Sequence, residues 1–116
     1  MNSVVLDTNA LMMPFQFNIN IDFEITRLFG DPEVYVPSSV IKELRTLKRK
    51  DALMLADKYE IYEVDKERDE GVLQAALELK AVLITNDAEL RSRARDEDIP
   101  VAYLREKAYL EVDGEY

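Results

Sequence analysis

The sequence predicts a three-layer α/β/α fold, with one domain over residues 1–116 and a central parallel sheet of about five strands. Three observations predict it. Short apolar runs such as Ser3-Val4-Val5-Leu6 and Ala81-Val82-Leu83-Ile84 have the length and continuity of strands buried on both faces. Segments of helical periodicity separate these runs, and strands alternating with helices imply a parallel sheet covered on both sides. A chain of 116 residues, 47% of them hydrophobic, is large enough for one core.

Taken in order, Ser3 to Leu6 is the first strand and ends at Asp7-Thr8-Asn9. A short helix over Ala10 to Met13 is expected to stop before Pro14, because proline disfavours helical geometry in its predecessor. Phe15 to Asn20 reads as a loop. Ile21 to Phe29 is an amphipathic helix, with Gly30 where a C-terminal cap belongs. Glu33 to Val36 is the second strand, and Pro37-Ser38 opens a helix through Val40, Ile41, Leu44 and Leu47. A further helix covers Ala52 to Tyr59, and Ile61 to Val64 is the third strand. Glu67 to Lys80 is helical, with Val72, Ala75, Ala76 and Leu79 on one face. Ala81 to Ile84 is the fourth strand, Asn86 to Glu89 a capped helix start, and Pro100 to Tyr103 the fifth strand. The tail either adds a strand at Tyr109 to Val112 or packs on the surface.

Composition excludes much chemistry. With no Cys and no His there is no disulfide, no thiol nucleophile, no zinc site of the usual kind and no His-based triad. Three glycines, at positions 30, 71 and 114, cannot write a Walker A loop or a GxGxxG fingerprint. Catalysis must rest on carboxylates, Lys, Tyr or Ser/Thr. No apolar run approaches the length of a membrane span, and no basic leader precedes the first strand, so a cytoplasmic protein is expected. The balance of 15 basic and 24 acidic residues, a net charge of −9, runs against nucleic-acid binding unless cations neutralise part of the acid.

Four carboxylates are expected at one rim. Asp7 follows the first strand and Asp87 the fourth, which puts both at the carboxyl edge of the sheet, where such folds bind ligands. At about 100° per residue, Glu43 lies about 60° from Val40 and about 40° from Leu47. Asp69 lies about 60° from Val72 and about 20° from Ala76. Both carboxylates therefore share the apolar face of their helices, where an ionised group is costly unless paired or bound to metal. Such inward acids repel one another, so some should titrate high. Hard oxygen ligands suit Mg²⁺ or Mn²⁺. Each acid also has a plain reading: Asp7 and Asp87 as helix caps, Asp69 as a first-turn acid favoured by the helix dipole, and Glu43 as a solvated residue.

The residues then resemble a known family. Val4-Val5-Leu6-Asp7-Thr8-Asn9-Ala10-Leu11 is similar to the opening of PIN domains, and Val36 to Leu44 to their second motif. Asp69 to Ala76 is similar to the third motif, with Gly71 odd for a helix and Glu70 competing with Asp69 as ligand. Leu83 to Leu90 is similar to the fourth. The resemblance implies strand order 3-2-1-4-5 and Mg²⁺- or Mn²⁺-dependent hydrolysis of RNA by the cluster Asp7, Glu43, Asp69 and Asp87. It also implies contacts to these ligands or to phosphate from Thr8, Asn9, Thr85 and Asn86, although Thr8 and Thr85 read equally as satisfying local backbone. Among PIN proteins the chain looks most like archaeal VapC-type toxins, which implies an antitoxin partner and a homodimer. It is also similar to small-subunit rRNA-processing nucleases through Met12-Met13-Pro14-Phe15-Gln16-Phe17, an apolar stretch that is a candidate contact surface.

Two metal ions can activate water and neutralise the phosphate, which needs no histidine and leaves 5′-phosphate and 3′-hydroxyl ends. Arg45, Lys48, Arg49 and Lys50 after Glu43, and Arg91, Arg93 and Arg95 after Asp87, are placed to meet an RNA backbone or are ordinary solvated helix faces. Two rivals stand beside the nuclease. One is a receiver-like signalling domain phosphorylated at Asp65, which lacks the paired acid expected beside Asp7. The other is a non-catalytic RNA- or protein-binding scaffold, against which the full set of four acids speaks.

Overall fold

Parallel pairing fixes the direction in which every strand points. In the structure, a computed structural model describing residues 2–113, β1 (Ser3–Leu6), β2 (Glu33–Pro37), β3 (Glu60–Tyr62), β4 (Val82–Ile84) and β5 (Val101–Arg105) run parallel. The sixth strand, β6 (Tyr109–Asp113), returns antiparallel to β5, and the order across the sheet is β3-β2-β1-β4-β5-β6. The expected order is met, and the tail takes the strand alternative. Helices α1 (Thr8–Phe17), α2 (Ile21–Phe29), α3 (Ser38–Thr46), α4 (Lys50–Ala56), α5 (Arg68–Leu79) and α6 (Ala88–Asp96) complete three layers. Val4, Val5, Leu6, Leu83 and Ile84 are fully buried in the two central strands, as their unbroken apolar runs require.

Helix α1 departs from expectation. It continues through Pro14 to Phe17 and ends at Asn18 in the left-handed conformation. An internal proline costs about 3 kcal/mol. The turn beyond Pro14 packs Phe17 against the core, which offsets part of that cost. Continuing the helix also divides the proposed apolar surface: Met13 is buried, Met12 and Phe17 pack against the core, and Phe15 is exposed. Smaller differences are shifts of a few residues: α4 ends at Ala56, and β3 starts at Glu60.

The open edge of β6 is covered by side chains. Glu24 of α2 accepts a hydrogen bond from the Leu110 amide, and Arg27 donates to the Leu110 carbonyl. A carboxylate and a guanidinium thus take the places a seventh strand would fill, which blunts edge-to-edge pairing. The β5–β6 turn is less well served. Glu106 and Lys107 both have positive φ (55° each) in a turn closed by the Ala108 amide on the Arg105 carbonyl. Left-handed geometry costs a non-glycine residue roughly 1–2 kcal/mol, and asparagine followed by glycine is the preferred pair in such turns. The double substitution Glu106→Asn/Lys107→Gly is expected to raise Tm by several degrees, measured by thermal unfolding; an unchanged or lower Tm would argue against the left-handed turn.

Candidate active site

Strand order reverses between β1 and β4, and parallel sheets open a crevice at that point. Asp7 leaves β1 there, with its amide bonded to the Ile84 carbonyl of β4. Its plain and functional readings coexist. Oδ1 caps α1 by accepting from the Ala10 amide at 2.8 Å, while Oδ2 accepts from the Thr85 hydroxyl. Thr85, fully buried, also accepts from the Asp87 amide at 3.0 Å, and Asp87 Oδ1 caps α6 through the Leu90 amide. Thr85 therefore ties the first acid to the segment carrying the fourth. It holds a side chain as well as local backbone.

The second pair of acids is set by a close helix contact. A Cβ on Gly71 would lie 2.5 Å from Ser39 Oγ across the contact of α5 with α3, and 2.5 Å from the carbonyl oxygen of Lys66 in the loop just before α5. Only glycine fits, which accounts for its presence in a helix. Ser39 Oγ donates to the Arg68 carbonyl, and Ser38 Oγ accepts from the Val64 amide, fixing the loop that leads into α5. Asp69 in the first turn of α5 is thereby brought beside Glu43 of α3, whose Oε1 accepts from the Thr8 hydroxyl. Ser38, Ser39 and Gly71 are positioning residues absent from the sequence-based set. Gly71, odd for a helix, is the one signal of them that the sequence displays.

Asp7, Glu43, Asp69 and Asp87 line one open cleft of ≈ 530 Å³, together with Thr8 and Asn9. Thr85 lies buried, and Asn86 is exposed outside the cleft, so Asn86 is not placed for the role expected of it. Asp65 lies outside as well. The basic residues differ most from expectation. None of Arg45, Lys48, Arg49, Lys50 and Arg91 lines the cleft. Arg49 pairs with Asp51, and Arg91 lies over the Tyr103 ring at 4.2 Å. The cleft's cations are Arg93, one of the arginines expected after Asp87 and here paired with Glu70, and Arg68, which lies outside the expected set. An amphipathic helix distributes arginines around its axis, so proximity in sequence to Asp87 does not decide which one faces the acids.

Burial pushes the Asp7 carboxyl up to about 7, against the lowering effect of its bonds from Thr85 and Ala10, and the Asp69 and Asp87 charges add to the rise. Asp69 is raised by burial and then by Asp87 and Glu43, with Arg93 opposing. The cleft is short of positive charge. Its donors are hard oxygens, which fit Mg²⁺ or Mn²⁺. Among the described residues, no three acids are gathered closely enough to enclose an ion; Asp7 Oδ2, Glu43 Oε1 and Asp87 Oδ1 accept from the Thr85 hydroxyl, the Thr8 hydroxyl and the Leu90 amide.

A pH dependence follows. The folded-state carboxyl of Asp7 holds its proton to higher pH than in the unfolded chain. Its contribution to stability is therefore full below about pH 4 and is lost as pH rises through about 7. The loss is on the order of 4 kcal/mol at most for a shift of this size. Without metal, the stability of the wild type relative to Asp7→Asn is expected to fall between about pH 4 and pH 8, by denaturant unfolding at each pH. A constant difference would mean that Asp7 is ionised throughout.

Residues 4–107 match the model of the "PIN like domain" family. The chain is 33% identical to Ribonuclease VapC9 of Archaeoglobus fulgidus over 112 residues, covering 88% of this chain and 82% of that protein. It is 33% identical to Ribonuclease VapC4 of Methanocaldococcus jannaschii over 129 residues, covering 98% of each. Among solved structures, the PIN domain endonuclease Utp24 superposes with a TM-score of 0.85 at 22% identity, over 97% of this chain and 92% of that one.

Proposed function

The chain belongs to the PIN-like domain family, and from that premise we propose that it is a divalent-metal-dependent endoribonuclease of the VapC kind, the toxin of a toxin–antitoxin pair. One observation carries the reading: Asp7, Glu43, Asp69 and Asp87, from four separate elements, line a single cleft at the switch point of the sheet. The two ribonucleases of similar sequence, each 33% identical, support the substrate class.

In this proposal the four acids hold Mg²⁺ or Mn²⁺. When bound, such ions neutralise phosphate charge and acidify water. The chain supplies the rest. Thr85 and the Ala10 amide hold the Asp7 carboxyl, and Thr8 holds Glu43, in the metal-free fold, so taking up an ion requires these side chains to turn toward it. Arg93 and Arg68 place positive charge at the lip of an otherwise acidic cleft, where a phosphodiester must enter. Asp7 is 3% exposed, which keeps bulk water from its carboxylate.

The test is purified protein with a mixed RNA pool, Mn²⁺ against EDTA, and mapped cleavage ends. Expected are Mn²⁺-dependent cuts with 5′-phosphate and 3′-hydroxyl ends; no cleavage in either condition, or cleavage that survives EDTA, would count against the proposal. Mn²⁺ is also expected to raise Tm through binding to the folded state. The antitoxin, the pairing of two copies and the cytoplasmic location belong to the same proposal. A role in rRNA maturation, favoured by Met12 to Phe17, keeps the chemistry and changes only the RNA that the mapped ends identify.

A further inference from the structure

We propose that the groove leading from the acidic cleft along α3 to the start of α5 is a subsite for one nucleotide of single-stranded RNA next to the cleaved bond, with its base against Leu47 and its phosphate on Arg68. This rests on the ribonuclease reading above. The groove, of ≈ 270 Å³, shares Glu43, Leu47, Glu67 and Arg68 with the cleft, so a strand seated over the acids passes directly into it.

Leu47 stands at that junction. Its helical phase predicts a core residue, yet as the C-cap of α3 it is 52% exposed and lines the cleft. An apolar side chain at the mouth of a polar cleft offers a flat ligand a surface to cover. Arg68 is the second unusual residue. It begins α5 with φ 49°, a left-handed geometry that strains any side-chain-bearing residue, and Ser39 holds its carbonyl there. Glycine would relieve that strain, so the guanidinium is kept against the local preference of the backbone. Among the described residues it forms no ion pair. Lys42 and Glu67 bridge the groove at 2.6 Å, with both side chains more than two-thirds exposed. Such a pair contributes little in water, so a polyanion can open it and recruit Lys42. Apolar platform, unpaired cation and releasable cation in continuity with a phosphodiester site fit a nucleotide.

The test compares wild type, Arg68→Gly and Leu47→Ala on a labelled single-stranded RNA pool with Mn²⁺. Arg68→Gly is expected to raise Tm, to raise KM severalfold with kcat little changed, and to make the salt dependence of binding shallower by about 0.7 in log–log slope. Leu47→Ala is expected to raise KM severalfold through lost apolar contact, without loss of Tm. If Arg68→Gly lowers Tm with KM unchanged, Arg68 is structural and the phosphate assignment falls. If the KM of Leu47→Ala equals that of wild type, the base assignment falls. Lost self-association with unchanged cleavage would assign the groove to a protein contact instead. Wild type that neither binds nor cuts RNA would overturn the ribonuclease reading itself, and the subsite with it.

Discussion

Asp7→Asn is expected to lower RNA cleavage by at least about 10³-fold while leaving a folded protein that, free of metal at about pH 8, melts higher than wild type. Both effects have one origin. Asp7 is almost completely buried, with a carboxyl pushed up to about 7, so above that pH the fold carries an ionised group in a site that disfavours it. The substitution keeps the volume and the oxygen that caps α1 and removes the charge, which relieves the fold and, in the proposed function, removes an anionic metal ligand. The introduced amide can still pair with Thr85, so structure is expected to survive. The contrast is diagnostic, because damage to the fold would lower activity and Tm together. Single-turnover cleavage with Mn²⁺ and calorimetry in EDTA read the two quantities separately. Turnover like wild type would remove Asp7 from the chemistry, and a lower metal-free Tm would mean that its charge is already compensated.

Legibility in the sequence follows the range of the physics involved. The strands are readable because β1 and β4 are buried on both faces and must be apolar throughout, which a short window displays. Asp7 and Asp87 are readable because strand ends fix position without reference to side-chain packing. Glu43 and Asp69 follow from helical phase, which holds within a helix. The same phase misplaces Leu47, since it gives a direction but not where the sheet beneath the helix stops. Pro14 misleads because the local cost of an internal proline is visible in the sequence and the packing of Phe17 against the core beyond it is not. The hydroxyl of Thr85 bonds to Asp7, 78 residues earlier in the chain, and no local pattern carries such a contact. The cleft arginines are hidden for a related reason. Arg91, Arg93 and Arg95 alternate along one stretch of helix, and only the tertiary fold determines that Arg91 meets Tyr103, Arg95 meets Asp113 and Arg93 meets Glu70 at the acids.

Gly71→Ala is expected to reduce stability by roughly 1–3 kcal/mol and cleavage by about 10²-fold, a larger loss of rate than the unfolded fraction explains. The added methyl would sit 2.5 Å from the Lys66 carbonyl oxygen, which belongs to the backbone, and 2.8 Å from Ser39 Cβ. Neither can swing aside as a flexible side-chain end does. The strain is therefore relieved by shifting the start of α5 relative both to α3 and to the preceding loop at Lys66. Asp69 lies two residues from Gly71 and travels with it, while Glu43 remains on α3. Separating two of the four acids by a fraction of an ångström to an ångström is enough to affect an arrangement that depends on orientation. Ser39→Ala in the same chain removes only the Oγ contact, so the double variant is expected to recover part of the lost Tm and less of the lost rate, because the Lys66 carbonyl still blocks the approach. Denaturant unfolding and Mn²⁺-dependent cleavage of the single and double variants, at a temperature where all are folded, separate the two losses. A Gly71→Ala protein with wild-type Tm and wild-type cleavage would mean that α3 and α5 do not meet as closely as described, and that the pairing of Glu43 with Asp69 does not depend on their contact.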